Sequence, residues 1–580
     1  MRLSSLILPI LLTKVSNSLP LISNDEQQHS IKSKGYVKLN TQKYQGSSFK
    51  DSDPDYETHY IEKRSDNGTV EMVLTNESTF YKVSLEIGSD KQTVDVLVDT
   101  GSSDLWIMNS NNTYCESSSD SNKLRKMFRK AGRSNDSIKN WNTESNGGSG
   151  EGGGDPFGPT GDATSSASSV EATIDCSLYG TFDPSSSTSY KNNGSEFTIT
   201  YADDTFAQGW WGYDNVIFDD LEIKSFSFAV ADETDSEMGV LGIGMVGLET
   251  TYSGNSYSGS PYTYQNLPTK LRDEGFINKV TYSIYLNDTN SNSGSILFGA
   301  IDHDKYTGEL SLVPIINTLE SSGYDNPIKV EITLTSLSLI SSSTETTIGS
   351  GAAAALLDTG TTLTYVPSNI LSSIVDSISD LSYSSTTKGY VMSCDSASDY
   401  TLNFNFQGSD IDVPLSSFML SLTTTSGSSS NYCALGLYSS DDDSFILGDS
   451  FLRSIYFVVD QEDYQIAFAP VNSDSNSENI ETITSSIPSA TSVSAYSETW
   501  GSAYTELETG SYGTTSTNVN KGTSTKGSSK STSTSTSSSG SSSSSNSGSS
   551  SSSKSEGVSI KLSSVSMMIV MIVSMMFVMM

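Results

Sequence analysis

The stretch Val96 to Trp106, V-L-V-D-T-G-S-S-D-L-W, returns at Leu356 to Tyr365 as L-L-D-T-G-T-T-L-T-Y. With Asp99 set on Asp358, Leu97-Val98 falls on Leu356-Leu357, Thr100-Gly101 on Thr359-Gly360, Ser102 on Thr361 and Trp106 on Tyr365. In each copy an apolar run of strand type enters a sharp glycine turn that holds one Asp among hydroxyls, and leaves through further apolar residues. Such a repeat predicts two like halves, each supplying one carboxylate to a symmetric pair. A second element repeats with it, Val240-Leu241-Gly242 and Ile446-Leu447-Gly448. The interval from Asp99 to Gly242 exceeds that from Asp358 to Gly448 by nearly the length of the polar, strand-free stretch between Cys115 and Cys176. That stretch carries Arg125-Lys126, Arg129-Lys130 and a Gly-rich run from Gly147 to Gly154, so 116–175 reads as a loop inserted into the first half. Exposed basic pairs in such a loop invite proteolysis, and a two-chain mature form is one expectation.

Outward from the repeat, short apolar runs broken by Gly, Asn, Asp and Ser extend from Phe80 to about Pro470, the pattern of a mainly β protein. The best helix is Ile370 to Leu381, with Ile370, Leu371, Ile374, Val375 and Ile378 at helical spacing and Ser368 or Asn369 as its cap. The organisation expected is an N-terminal lobe over 65–290, a C-terminal lobe over 291–472, and a junction near 280–300, where Gly299 ends a strand-like run.

The flanks are of another kind. Residues 1–18 hold a short apolar run, Leu6 to Leu12, and read as a signal peptide. Residues 19–64 are polar and end at Lys63-Arg64, which reads as a propeptide cut by a kexin-type processing protease. Residues 473–546 read as a Ser/Thr-rich stalk without a core, nearly pure Ser from Ser529 onward. The apolar end within 547–580 reads as a GPI-attachment signal that is removed, with Asn546 as the attachment site. A tail-anchored helix is the alternative, and Val565 to Met580 falls short of the roughly 20 residues a spanning helix needs. Sequons at Asn67, Asn76, Asn111, Asn135, Asn193 and Asn287 fit the same route, through the secretory pathway to the plasma membrane or cell wall.

Composition narrows the chemistry. A formal charge of −36 argues against a nucleic-acid partner and favours basic ones. Four cysteines in a chain with secretory signals suggest two disulfides, and Cys115 with Cys176 and Cys394 with Cys433 keep each bridge within one half. Only three histidines occur, and His29 and His59 lie in the segment read as removed, which leaves His303. Ser or Cys nucleophiles normally need a His base and zinc hydrolases need His ligands, so neither chemistry is expected, and no metal or cofactor. Carboxylate chemistry remains: one group takes a proton from water while another gives one to a carbonyl oxygen.

The two Asp-Thr-Gly turns, the two apolar-Gly elements and I-T-Y-A-D-D-T-F-A-Q-G at Ile199 to Gly209 together resemble a pepsin-like aspartic protease. The signal, dibasic site, disulfide-closed loop and GPI tail make the chain similar to the fungal yapsin-like group. The resemblance implies a bilobed fold with the active-site cleft between two pseudo-symmetric lobes, and Asp99 and Asp358 as catalytic residues acting on a shared water. It implies support from Thr100, Gly101, Ser102, Thr359, Gly360 and Thr361. Tyr201 matches the flap tyrosine, with Trp106 as its hydrogen-bond partner. Many pepsin-like enzymes carry Gly-Thr-Gly after this Tyr; here Ala202-Asp203-Asp204 follows, and two acids at a flap tip favour a basic substrate residue. The expectation is a monomeric, GPI-anchored endopeptidase cleaving proteins or peptides at Lys or Arg sites in protein processing and wall maintenance. Two alternatives stand beside it: a catalytically inactive adhesion or binding protein on the same fold, and a processing protease held inside the secretory pathway.

Overall fold

A computed structural model describes residues 34–45, 72–74, 79–115, 174–202, 205–219, 221–253, 261–287, 293–385, 389–424, 429–440, 444–501 and 505–509, with Gln28, Lys32 and Thr387. The described chain is mainly strands, gathered into a 14-stranded and an eight-stranded sheet with two smaller ones. The first Asp strand, Gln92–Asp99, alternates as its sequence suggests: Val94, Val96 and Val98 are buried while Thr93, Asp95 and Leu97 face away. It pairs antiparallel with Thr79–Ile87 and parallel with Gly239–Gly242, which sets Asp99 beside Gly242. The second, Thr344–Leu357, repeats the arrangement, antiparallel to Glu331–Ser341 and parallel to Phe445–Leu447. The apolar-Gly elements are therefore the inner neighbours of the two Asp strands. One continuous apolar core, containing Leu241, Phe298, Leu357 and Phe457, draws on both halves.

The halves meet in a layer of long-range pairings. Thr281–Tyr285 pairs with Ser293–Phe298 and with Ile455–Asp460, and the latter with Gln465–Pro470. The boundary expected at 290/291 thus falls between two strands that are paired to each other, and this part of the sheet is shared by both lobes. Two flanking segments also pair with the folded body. Val37–Gln45, inside the expected propeptide, is a strand of the same sheet, seated between Ser293–Phe298 and Thr79–Ile87. The expected stalk also begins late. Ile480–Thr482 pairs with Ala300–Asp302, Ala490–Ser492 with Leu310–Pro314, and Thr505–Glu508 with the second Asp strand. Ile483, Ile487 and Leu507 are buried, and the Gln407 side-chain amide donates to the carbonyls of Ala495, Tyr496 and Glu498. Ser/Thr-rich composition hides these few apolar anchors, because its average is polar while each anchor finds a ready-made hydrophobic site.

The expected helix is Ser368–Ser377, burying Ile370 and Ile374, and it stops before Ile378 and Leu381. Pro367 precedes it without a side-chain cap; Asn369 accepts instead from the N–H of Ile370. A second helix, Leu267–Asp273, is capped by Asn266. Among the described residues no helix is long and apolar enough to cross a membrane. The signal-peptide, Lys63-Arg64, inserted-loop and Asn546 readings concern residues outside the described ones, as do the sequons at Asn67, Asn76 and Asn135.

Candidate active site

The repeat closes on itself at the loop tips. Asp99 is the last residue of its strand and Asp358 follows directly on the other. The adjacent threonines lock the two turns together: Thr100 N–H donates to Thr359 Oγ1 at 3.1 Å, and Thr359 N–H to Thr100 Oγ1 at 3.0 Å. Each hydroxyl in turn donates across to the opposite strand end, Thr100 to Leu357 O at 2.7 Å and Thr359 to Val98 O at 2.9 Å. Four hydrogen bonds between residues some 260 positions apart in sequence make the pseudo-symmetry a physical constraint on the carboxyls.

Each carboxyl is held in the same way. Asp99 Oδ1 accepts the Gly101 N–H at 2.7 Å, and its Oδ2 accepts the Ser102 hydroxyl. Asp358 Oδ1 accepts the Gly360 N–H at 2.8 Å, and its Oδ2 the Thr361 hydroxyl at 2.7 Å. Glycine is required by the closeness of the partner acid. A Cβ at Gly101 would stand 2.7 Å from Asp358 Oδ1, and one at Gly360 2.5 Å from Asp99 Oδ1. Burial raises the Asp99 pKa well above the usual carboxylate range; the neighbouring Asp358 charge adds to it, and the Ser102 and Gly101 hydrogen bonds oppose it. Two like charges at this separation cannot both form easily, so the dyad holds one proton as a pair.

Such a pair can hydrolyse an amide. A water held between the carboxyls loses a proton to the ionised one as its oxygen bonds to the carbonyl carbon. The protonated carboxyl gives its proton to the carbonyl oxygen, which leaves a gem-diol. Collapse of the gem-diol breaks the C–N bond as the amine nitrogen takes a proton from one carboxyl and a gem-diol hydroxyl gives its proton to the other, which restores the singly protonated dyad.

Lys191–Thr200 and Phe206–Phe218 form a hairpin closed by Tyr201 N–H to Thr205 O at 2.9 Å. Trp106 Nε1 donates to the Tyr201 hydroxyl at 2.7 Å, the partnership expected from sequence. Asp203 and Asp204 lie outside the described residues. Both expected disulfides are present, Cys115 to Cys176 and Cys394 to Cys433. Among the described residues no cluster of His, Cys, Asp or Glu is arranged to hold a metal.

Sequence reasoning missed other acids around the site. Asp449, directly after Gly448, is wholly buried with neither carboxyl oxygen hydrogen-bonded among the described residues. Burial raises its pKa, the Arg453 charge opposes, and Asp358 adds. Asp104 and Glu249 are buried behind the flap. The available signal was an acid inside an otherwise apolar run, as in I-L-G-D-S-F-L and S-S-D-L-W.

Comparison with known proteins agrees with this geometry. The family model "Eukaryotic aspartyl protease" matches residues 80–471. "Aspartic proteinase 3" of Saccharomyces cerevisiae is 43% identical over 497 residues, covering 83% of this chain and 86% of its own. "Aspartic proteinase yapsin-3" of the same yeast is 36% identical, covering 78% of each chain. "Secreted aspartic protease 9" of Candida albicans is also 36% identical, over 78% of this chain and 88% of its own. With both Asp-Thr-Gly turns intact and interlocked, the chain belongs to the eukaryotic aspartyl protease family, as a yapsin-like aspartic-type endopeptidase.

Proposed function

We propose that this endopeptidase cleaves proteins at the cell surface next to Lys or Arg, and that it is held there by a GPI anchor. The observation that carries the preference is the flap. Its tyrosine is fixed by Trp106, and the two described ends of its turn, Tyr201 and Thr205, bracket Asp203 and Asp204 in the sequence. Anionic side chains at a lid that covers the substrate attract a cationic side chain beneath them, and the net charge of −36 adds long-range steering of the same sign. Similarity to yapsin-3 and to a secreted aspartic protease supports passage through the secretory pathway. The Ser-rich tract and apolar C-terminal residues support the anchor, with Asn546 as its site, and a role in surface protein processing and wall maintenance.

Maturation by a kexin-type protease after Arg64 belongs to the same reading. Its cost is legible, because the strand Val37–Gln45 is paired on both edges and its release uncovers two sheet edges. The inactive-adhesin alternative finds no support in a dyad that keeps all its supporting hydrogen bonds.

The deciding experiment is peptide profiling of the purified ectodomain beside Asp203→Asn/Asp204→Asn. Wild type should favour Lys or Arg at the cleavage site, and the variant should lose about tenfold or more of that preference, the value of one charge-assisted contact. An unchanged preference would place the specificity determinant elsewhere.

A further inference from the structure

A small acidic cluster lies beside the apolar group that backs Tyr201. Asp104, two residues before Trp106, accepts the Tyr264 hydroxyl at 2.7 Å through Oδ1 and the Thr250 N–H at 2.9 Å through Oδ2. Glu249 accepts the Tyr264 N–H at 2.8 Å through Oε2, while its Oε1 is buried with no hydrogen-bond partner among the described residues. Asp104 is 1% exposed and Glu249 0%. The described ionisable groups that act on this cluster are Asp104, Glu249, Tyr264 and Tyr262, with no Lys, Arg or His among them.

Two buried carboxyls without a cation cannot both ionise cheaply. Asp104 has two donors that favour its anion, whereas Glu249 has one donor and a spare oxygen, so the proton resides on Glu249. Its pKa is pushed up to about 9, by burial above all, with the Tyr264 N–H opposing and the Asp104 charge adding.

The cluster also touches the flap's support. Tyr264 packs on the apolar cluster of Trp106, Phe197 and Trp211, its ring 4.9 Å from that of Trp211. Tyr201 packs on the same cluster, and Trp106 donates to it. Around the clasp, Tyr252 N–H bonds to Glu249 O and Tyr262 N–H to Thr251 O, so both described ends of this loop converge there.

We propose that Asp104, Glu249 and Tyr264 form a proton-dependent clasp that holds residues 249–253 and 261–264 together against the backing of the flap, and opens when Glu249 gives up its proton to solvent. The three are positioning residues; none meets the scissile bond. The clasp is independent of which peptides the enzyme prefers. A group whose pKa is raised in the folded state stabilises fully below its unfolded value near 4.5, and that stabilisation drains as pH rises toward about 9. The clasp therefore favours an enzyme working in acid and weakens it toward neutrality.

The test uses the full secreted enzyme as wild type, Glu249→Gln and Asp104→Asn, with thermal unfolding and kcat/KM followed from pH 4 to 8 and each protein normalised to its own value at pH 4. Between pH 5 and 7 the clasp lowers the wild-type folding constant by up to about 100-fold, tenfold per pH unit. Glu249→Gln should remove at least tenfold of that fall and move the basic limb of kcat/KM to higher pH. Asp104→Asn should shift both in the same direction by less. Amide exchange at 249–253 and 264, corrected for intrinsic rate, should accelerate with pH in wild type and far less in Glu249→Gln. Parallel pH curves for all three proteins would overturn the clasp. So would failure of Glu249→Gln to fold at pH 4, where a protonated acid and an amide should be interchangeable.

Discussion

Asp99 and Asp358 show how little freedom a reacting residue has. Each carboxyl receives one backbone N–H and one hydroxyl, and each turn's glycine faces the partner acid at a distance no Cβ tolerates. Gly360→Ala should therefore fold but push the Asp99 carboxyl aside. A displacement of about 1 Å at a reacting group costs on the order of 10²-fold in rate. Steady-state kinetics should show this loss in kcat with KM nearly unchanged, whereas a rise in KM alone would point to lost substrate contacts. The raised pKa of Asp99 has a definite sign. The dyad keeps its single proton to higher pH than an isolated Asp would, and activity falls on the basic side as that proton leaves.

Elements carry the next layer. The hairpin and the parallel apolar-Gly strands do what no single side chain does: the first carries Tyr201 to Trp106, and the second hold the two strands that lead into the Asp turns. A C-terminal strap of three short strands, Ile480–Thr482, Ala490–Ser492 and Thr505–Glu508, ties three strands of the C-terminal half together. Its anchor Ile483 is fully buried among Tyr285, Ile301, Tyr456 and Ile487. Ile483→Ala should cost about 2–4 kcal/mol, as for other large-to-small core changes. Chemical denaturation would read that cost directly, and a loss under about 0.5 kcal/mol, the size of an ordinary surface substitution, would mean that the strap is a passive extension.

At the scale of the whole molecule, charge dominates. Sixty-eight acids face 32 bases, so self-repulsion is large at neutral pH and relaxes in acid as carboxylates protonate. Raising the salt concentration should therefore lift the thermal midpoint clearly at pH 7 and little at pH 4, because screening matters only where repulsion exists. Equal salt effects at both pH values would show that the charge is locally compensated. The buried pair Asp104 and Glu249 adds to the same trend but is out of reach of salt, and the two contributions can be separated on that basis.

The sequence alone determined the chemistry. Two Asp-Thr-Gly turns in register and the scarcity of His left a carboxylate dyad as the expected catalyst, because each is a local pattern or a count, and the resemblance added the flap tyrosine. Only the tertiary structure decided which flanking segments belong to the folded body. Val37–Gln45 is a sheet strand, and Ile480–Thr482, Ala490–Ser492 and Thr505–Glu508 form a strap, since strand pairing and burial depend on distant partners that composition does not encode. The same holds for Asp104, Glu249 and Asp449. The apolar runs around Asp104 and Asp449 are their only sequence signal, and their burial arises from what the fold packs around them.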